Sequence, residues 1–242
     1  MNLLFRAFNH FIDFFYPNVC LVCGDKINLN YKANENPYIA STKFCCSKCK
    51  ARVTFAGNKY EVTADIISNY NYDNFAISNA ISIFKNTADP PIINLIYGLK
   101  YKGYKQIGLE YGKWLGKVLV AEKMVDYDYI APVPIHSARR REREYNQSDF
   151  IASGVNKILN VKVANNLLKR TKYTTSQTQL KSKERLKNME NVFVLNKRYD
   201  VSGLKILLVD DVLTTGATLN NCALTLLYSK AKQVDIATLL KA

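Results

Sequence analysis

Apolar residues in the C-terminal half of the chain form short runs separated by stretches with a helical pattern. Three runs have the length of a buried strand, at 128–133, 203–209 and 234–240. The segment between the last two, roughly 217–229, has the spacing of a helix that is apolar on one side. Strand, loop, helix and strand in this order are typical of a βαβ unit, so we predict an α/β domain with a parallel sheet. Two further predicted helices, which would cover the faces of that sheet, lie at 110–123 and 151–159.

The N-terminal segment has a different pattern. Leu4, Phe8, Phe11 and Phe15 recur at steps of four, three and four residues, which places them along one side of a helix. A proline two residues later ends that pattern. We favour a helix docked on the rest of the protein, while a helix lying on a membrane surface through residues 1–16 stays open as the alternative.

Targeting and membrane signals are weak in this sequence. No apolar run reaches the roughly 18–20 residues that cross a bilayer. Arg6, His10 and Asp13 interrupt the N-terminal apolar segment, which in a signal peptide would be continuous and followed by a small-residue cleavage site. We therefore expect no transmembrane segment and a cytoplasmic location.

Six cysteines are present, and five of them fall between residues 20 and 49. Cys20 with Cys23 forms one C-x2-C pair and Cys46 with Cys49 forms a second, which suits a tetrahedral four-cysteine zinc site. Cys45 leaves the third ligand open, although the two-residue gap of the second pair fits a zinc knuckle better. Two disulfides are the alternative, but disulfides are rare in a reducing compartment.

The composition changes near residue 60, and this change divides the chain into two predicted domains. Residues 1–60 would hold the N-terminal helix and a zinc-ribbon-like module, in which the metal has a structural role because the segment is too small for a core of its own. Residues 61–242 would form the α/β domain with the parallel sheet.

The most specific signal follows the second apolar run. Asp210 and Asp211 come at the end of that predicted strand, where ligands of open α/β sheets bind. Small residues in the next loop would let backbone N–H groups close around a phosphate, and the helix N-terminus would add partial positive charge. The adjacent carboxylates would repel phosphate, so we expect them to bind sugar hydroxyls or a metal ion. The loop comprises Thr214, Thr215, Gly216, Ala217 and Thr218.

Basic residues outnumber acidic ones by 34 to 20, which gives a net charge of +14. Part of this excess lies just after the first predicted strand. Its position at the edge that carries the acid pair favours binding of diphosphate or phosphodiester groups over a solvated charge run. This arginine patch consists of Arg139, Arg140, Arg141 and Arg143. A second basic segment, at 169–187, is predicted to be a polar flap that includes Arg170, Gln177 and Arg185.

Several motifs occur together in this chain. They are the two cysteine pairs, L-K-Y-K-G at 99–103, P-V-P at 132–134, R-x-R-x-Y-N-Q at 141–147 and V-D-D-V-L-T-T-G-A-T at 209–218. The last motif resembles the loop that binds phosphoribosyl diphosphate (PRPP) in type I phosphoribosyltransferases. Together the motifs resemble the ComF family of competence-associated phosphoribosyltransferase-like proteins, over nearly the whole chain. Glu144 stands where that family usually has a glycine.

The resemblance implies a type I phosphoribosyltransferase-like fold with an N-terminal zinc ribbon, and a phosphoribosyltransferase activity whose acceptor the sequence does not identify. It further implies that PRPP binds with Mg²⁺, with its ribose hydroxyls on the catalytic Asp210 and Asp211. The 5-phosphate would then lie on residues 214–218 and the diphosphate on the arginine patch. A non-catalytic role is the alternative, in which this site holds phosphate or PRPP and the basic patches bind single-stranded DNA. Other DNA-uptake proteins are further candidate partners.

Overall fold

The computed structural model of this chain describes residues 19–27, 43–68, 75–88, 92–171 and 192–242. The expectations for an N-terminal helix and for Gln177 and Arg185 fall outside these residues. Within the described part of the chain, no helix is both long enough and apolar enough to cross a membrane.

A four-stranded parallel sheet forms the centre of the fold, as the apolar runs predict. A separate antiparallel pair of short strands accompanies it. In spatial order the parallel strands are β1 (Ala80–Lys85), β6 (Gln233–Lys241), β5 (Lys205–Leu213) and β2 (Tyr129–Pro132). The antiparallel pair consists of β3 (Leu168–Arg170) and β4 (Phe193–Leu195).

Helices cover both faces of the sheet. The described helices are α1 (Ser47–Ala51), α2 (Lys59–Ile67), α3 (Ile93–Tyr101), α4 (Lys105–Ala121), α5 (Ser137–Arg143), α6 (Gln147–Leu159) and α7 (Ala217–Tyr228). Because successive residues of a strand point to opposite faces, β5 contributes Leu207 and Val209 to the core under α3, α4 and α6, and Ile206 and Leu208 to the core under α2 and α7.

The acid pair lies inside β5 and not after its end, which corrects the boundary expected from the sequence. β5 continues to Leu213 because its pairing with β6 extends that far and places Asp210 opposite Thr238. β2 ends earlier, at Pro132, which pairs with Val209. Within the part of the chain that the structure describes, the last part of β5 therefore has a neighbouring strand on one side only, and the acid pair lies at the carboxyl edge of the sheet.

Glycines bring α4 and α6 into close contact and so fix the position of α6 on the sheet. A Cβ atom on Gly112 would lie 2.3 Å from the main-chain oxygen of Ile151, and one on Gly154 would lie 2.5 Å from that of Leu109. No larger side chain fits at either position without separating the helices. The N-terminus of α6, which carries the Y-N-Q motif, is thereby held beside the end of β5.

The residues around the cysteines, 19–27 and 43–51, form what we call the cysteine module. One hydrophobic cluster continues from this module into the sheet core. The ring of Phe44 lies 5.7 Å from that of Tyr104, and the Lys50 ammonium lies 5.2 Å from the ring of Trp114. The module is therefore packed on α4 and the segment before it, while the domain boundary at residue 60 stays a prediction.

Candidate functional site

The two carboxylates of the acid pair have different partners. Oδ1 of Asp210 accepts hydrogen bonds from the Ser148 hydroxyl at 2.8 Å and from the main-chain N–H of Asp211 at 2.9 Å. Oδ1 of Asp211 lies 3.0 Å from the ammonium Nζ of Lys100. Among the described residues, no donor contacts Oδ2 of either carboxylate. Each aspartate thus has one oxygen held by the protein and one oxygen without a donor among the described residues.

The protonation of Asp210 reflects this environment. Burial and, next, repulsion from Asp211 raise the pKa of Asp210 to about 7. The hydrogen bonds from Ser148 and the Asp211 N–H, together with the charge of Lys100, act in the opposite direction. Close to neutral pH, the Asp210 carboxyl can therefore exchange a proton, which is common at functional sites.

The small-residue loop ends at the N-terminus of α7, as predicted. Gly216 is the N-cap and has a φ of +80°, a backbone conformation that glycine adopts without strain. No side chain of the described residues caps the helix, although the Thr215 hydroxyl accepts a long 3.4 Å hydrogen bond from the Ala217 N–H. Thr214 and Thr218 are exposed. Exposed hydroxyls and uncapped N–H groups at this helix end are suited to binding an anion.

The arginine patch forms a short helix, α5, which the sequence pattern did not predict. Nδ1 of His136 accepts a hydrogen bond from the Ala138 N–H at 3.2 Å and so caps its N-terminus. At its other end Glu144 has a φ of +65°, a left-handed conformation in which glycine is the usual residue at a helix C-terminus. Arg140 and Arg141 are exposed on this helix, so they can meet a polyanion from solvent.

Arg143 differs from the other arginines because neighbouring side chains hold its guanidinium. Nη1 donates to Oε1 of Gln147 at 3.3 Å, and Nη2 donates to the hydroxyl of Tyr101 at 3.1 Å. Three buried atoms here have no hydrogen-bond partner among the described residues, namely Nε of Arg143, Nε2 of Gln147 and Oδ1 of Asn146. Unpaired buried polar atoms are rare in folded proteins, and they indicate a place where a ligand or water binds.

A cavity of about 580 Å³ lies between the L-K-Y-K-G segment and the end of α5. Cations predominate along its walls, with tyrosine rings between them. The lining residues are Lys100, Tyr101, Lys102, Gly103, Lys105, Glu142, Arg143, Glu144 and Tyr145. Since Lys100 also contacts Asp211, the cavity adjoins the acid pair.

Arg170, which was assigned to a flap loop, is the last residue of β3 in the structure. Its guanidinium carbon lies 5.6 Å from the ring centre of Phe193 on β4. The antiparallel pair therefore forms the base of the predicted flap, and the remainder of the flap lies outside the described residues.

The two C-x2-C pairs come together as predicted. Sγ atoms of Cys20, Cys23, Cys46 and Cys49 all lie within 4.8 Å of one another, and those of Cys23 and Cys46 are 3.9 Å apart. With Zn–S bonds of ~2.3 Å, a tetrahedral site needs sulfur atoms about 3.8 Å apart, so this set can hold a metal such as zinc. Main-chain N–H groups also point at the sulfurs, as in the 3.4 Å contact from Cys46 N to Cys20 Sγ.

Position separates Cys45 from the cysteine set, whereas the pKa does not, because burial also raises the pKa of Cys49 within the set. Burial opposes ionisation of Cys20, but hydrogen bonds from the backbone of Cys46, Cys23 and Val22 together lower its pKa to about 7. Burial raises the pKa of Cys45 to about 12, and this thiol lies outside the four-sulfur cluster. The geometry therefore favours Cys46 as the third ligand, an alternative that the sequence left open.

Two residues of the site were not identified from the sequence as site residues. Ser148 directly follows the Y-N-Q motif, and Lys100 belongs to the L-K-Y-K-G motif. Both motifs were visible, but contact with the acid pair depends on how α3 and α6 pack against β5. No spacing in the sequence encodes that contact.

Comparisons with known proteins identify similar chains. The phosphoribosyl transferase domain family matches residues 150–242. Competence protein F of Haemophilus influenzae is 34% identical over 114 residues, which cover 47% of this chain and 50% of that protein. The DNA utilization protein YhgH of Escherichia coli K12 is 31% identical over 151 residues, which cover 61% of this chain and 66% of that protein. The matched region therefore spans between half and two thirds of these relatives.

Solved structures give weaker likenesses. The glutamine PRPP amidotransferase of B. subtilis has a TM-score of 0.38 at 21% identity, covering 55% of this chain and 26% of that one. A hypoxanthine phosphoribosyltransferase from Staphylococcus aureus has a TM-score of 0.37 at 17% identity, covering 57% of this chain and 64% of that one. Structural similarity at this level does not indicate a function.

Proposed function

Because the chain is a ComF-like member of the phosphoribosyltransferase family, we propose that it binds PRPP with Mg²⁺ and takes part in competence-associated DNA uptake. The observation that carries this proposal is the arrangement at the end of β5. Asp210 and Asp211 each keep one oxygen available, and three residues later an exposed hydroxyl loop leads to an uncapped helix N-terminus.

The parts of PRPP correspond to separate parts of this site. The ribose hydroxyls would donate to the available oxygens of Asp210 and Asp211. The 5-phosphate would accept hydrogen bonds from the hydroxyls and main-chain N–H groups of the loop at 214–218. The diphosphate would meet the arginine patch and the unpaired donors of Arg143 and Gln147. In this arrangement the phosphate groups of PRPP would meet hydrogen-bond donors of the protein, and its ribose hydroxyls would meet carboxylates.

Two metals fit the residues present. Carboxylate oxygens at the acid pair are the ligand type that Mg²⁺ prefers, and a bound ion would neutralise charge on the phosphate oxygens. The four thiolates suit zinc, which would have a structural role because protein atoms fill all four positions. A reducing, cytoplasmic environment is part of this proposal, since it would keep the thiols available for metal.

The proposed reaction is transfer of the phosphoribosyl group to an acceptor, with loss of diphosphate. The proposed transfer needs no covalent nucleophile, so the contribution of the chain would be positioning and charge stabilisation. Asp210 and Asp211 would orient the ribose, and the arginines would stabilise negative charge on the departing diphosphate. The acceptor stays unassigned in this proposal.

Calorimetry with PRPP and Mg²⁺ tests the binding site. We expect binding by the wild type and a loss of at least about tenfold in affinity for Asp210→Asn combined with Asp211→Asn, because both hydroxyl-binding carboxylates are gone. Asp200→Asn is the matched control, since Asp200 is exposed. Release of diphosphate in the presence of a nucleobase panel then distinguishes a transferase from a binding protein. Wild-type protein that shows no heat with PRPP would contradict the proposal.

A second candidate function is single-stranded DNA binding, and one aromatic cluster favours it. The rings of Tyr97 and Tyr101 lie 4.9 Å apart, and both side chains are more than half exposed. The Arg143 guanidinium lies 4.9 Å from the Tyr101 ring. Exposed aromatic rings beside cations are the usual surface for stacking bases and holding phosphates.

Fluorescence anisotropy with a labelled oligonucleotide tests this second function. Affinity should fall steeply as salt rises, because phosphate contacts release counterions. Tyr101→Ala should weaken binding at every salt concentration, while Arg140→Ala with Arg141→Ala should also reduce the salt slope. Tyr228→Ala is the matched control, as an exposed tyrosine at the end of α7. Equal affinities for Tyr101→Ala and the wild type would exclude this surface.

A further inference from the structure

Lys100 connects the acid pair with the neighbouring cavity. Its Nζ lies 3.0 Å from Oδ1 of Asp211, and only 23% of the lysine side chain and 9% of the aspartate side chain are exposed. Surface ion pairs contribute little because water and salt screen them, but a pair with this burial is screened much less. The same lysine lines the cavity of about 580 Å³. The proposed function assigns this residue no role.

The last turn of α3 holds Lys100 firmly. The main-chain oxygen of Leu99, a fully buried residue, accepts a hydrogen bond from the hydroxyl of Tyr145. The main-chain oxygen of Gly98 accepts one from the N–H of Tyr104 at 3.3 Å. A lysine on a fixed turn loses less conformational freedom when it makes an ion pair, so more of the interaction energy is retained.

The cysteine module also contacts this turn. A Cβ atom on Gly98 would lie 2.9 Å from Cδ1 of Leu21, which shows that Leu21 fills the space in front of that glycine. Leu21 lies between the cluster cysteines Cys20 and Cys23, and its N–H donates to the main-chain oxygen of Phe44 at 2.9 Å. The turn that carries the first cysteine pair therefore packs directly on the turn that carries Lys100.

We propose that Lys100 is a positioning residue that holds the Asp211 carboxylate for a phosphoribosyl ligand, and that Leu21 and Gly98 hold Lys100 in place. This inference rests on the proposed function for the identity of the ligand. Lys100 binds one oxygen of Asp211, fixes the carboxylate orientation and leaves the other oxygen facing the ligand. Its positive charge also offsets the repulsion between two adjacent carboxylates, which otherwise opposes keeping both of them at one site.

Three variants test the first half of this proposal by calorimetry with PRPP and Mg²⁺. Lys100→Met should lower affinity by about tenfold or more, because Asp211 loses both its counter-charge and its orientation. Lys100→Arg keeps the charge and should retain most of the affinity. Lys157→Met is the charge-matched control, since Lys157 is exposed on α6 and its ten-residue separation from Gln147 corresponds to about 15 Å along the helix.

A carboxyl-carbon NMR titration supplies a readout that needs no ligand. The charge of Lys100 lowers the pKa of Asp210, so Lys100→Met should raise it, while Lys100→Arg should leave it close to the wild-type value. Unchanged PRPP affinity in Lys100→Met would overturn the positioning role and leave the proposed function standing. If the wild type binds no PRPP, the proposed function is wrong, and an unchanged Asp210 pKa in Lys100→Met then overturns the positioning role separately.

Gly98→Ala tests the second part of the proposal, that Leu21 and Gly98 hold Lys100 in place. The added methyl group would meet Cδ1 of Leu21 at 2.9 Å, so either this side chain or the turn must shift. If the contact holds Lys100 in place, PRPP affinity should fall severalfold while zinc content stays constant. Combining Gly98→Ala with Leu21→Ala removes the obstructing side chain and should restore part of the affinity. An equal loss in the single and double variants would overturn the role of the Leu21 contact. If Gly98→Ala fails to fold, Leu21→Ala alone gives the test: wild-type affinity and an unchanged Asp210 pKa would overturn that role.

Discussion

The backbone at Glu144 provides a prediction whose magnitude follows from one dihedral angle. Glu144 ends α5 with a φ of +65°. A side chain in this left-handed region costs roughly 1–2 kcal/mol, because its Cβ approaches the neighbouring carbonyl. Glycine avoids that strain but loses more conformational entropy on folding, which reduces the gain in stability by roughly 0.5–1 kcal/mol. Glu144→Gly should therefore stabilise the protein by about 0.5–1 kcal/mol.

Thermal unfolding measures this gain. For a chain of this size, 1 kcal/mol corresponds to about 2–4 °C, so the melting temperature should rise by roughly 1–4 °C. Glu144→Ala is the matched control, since it removes the carboxylate and keeps the Cβ atom. Both variants remove an acid from the cavity that carries Arg143, so both should bind oligonucleotides more tightly, but only Glu144→Gly should gain stability. If Glu144→Gly and Glu144→Ala melt at the same temperature, backbone strain at this position does not destabilise the wild-type protein, and the reasoning is wrong.

Three further outcomes follow from the fold and the site. Purified protein should contain about one zinc per chain, and Cys46→Ser should lower both the metal content and the melting temperature, whereas Cys222→Ser should leave the metal content unchanged. The raised pKa of Asp210 means that the folded chain keeps a proton that the unfolded chain has lost. The resulting stability is present below about pH 4 and is lost as pH rises through about 7, so Asp210→Asn should melt progressively higher than the wild type between these values. Gly112→Ala should destabilise the fold by at least about 1–3 kcal/mol in denaturant unfolding, because its methyl group would overlap the main chain of α6, and full stability would contradict the packing described for α4 and α6.

Local patterns in the sequence predicted the sheet well and its limits less well. Buried runs identified β2, β5 and β6, because a strand covered on both faces needs continuous apolar residues. The end of β5 was placed too early, since Asp210 and Asp211 look like the end of a strand when pairing with β6 is unknown. α5 was missed because, apart from Ala138, its residues are polar and none is buried, so the helix has no apolar periodicity to detect.

The site shows the same division between local and tertiary information. The loop at 214–218 was predicted because its chemistry comes from consecutive residues. The choice between Cys45 and Cys46 required the fold, since both thiols are buried and only their relation to the other sulfurs separates them. Contacts from Lys100 and Ser148 to the acid pair join residues that are 111 and 62 positions apart in the chain. Such contacts follow from helix packing and leave no periodic signal.

The charge of the site resolves an apparent conflict in the proposed function. A highly basic protein would attract PRPP through its overall field, yet two carboxylates lie where the ligand should bind. The structure reduces their repulsion locally, because Lys100 neutralises Asp211 and the raised pKa of Asp210 allows it to hold a proton near neutral pH. The pair can then carry little net negative charge before the ligand arrives. Oδ2 of Asp211 can still accept a hydrogen bond, whereas Oδ2 of a protonated Asp210 donates one, because Oδ1 of Asp210 already accepts two. Together with the proposed Mg²⁺, these two compensations would make the acid pair compatible with phosphate groups on both sides of the sugar.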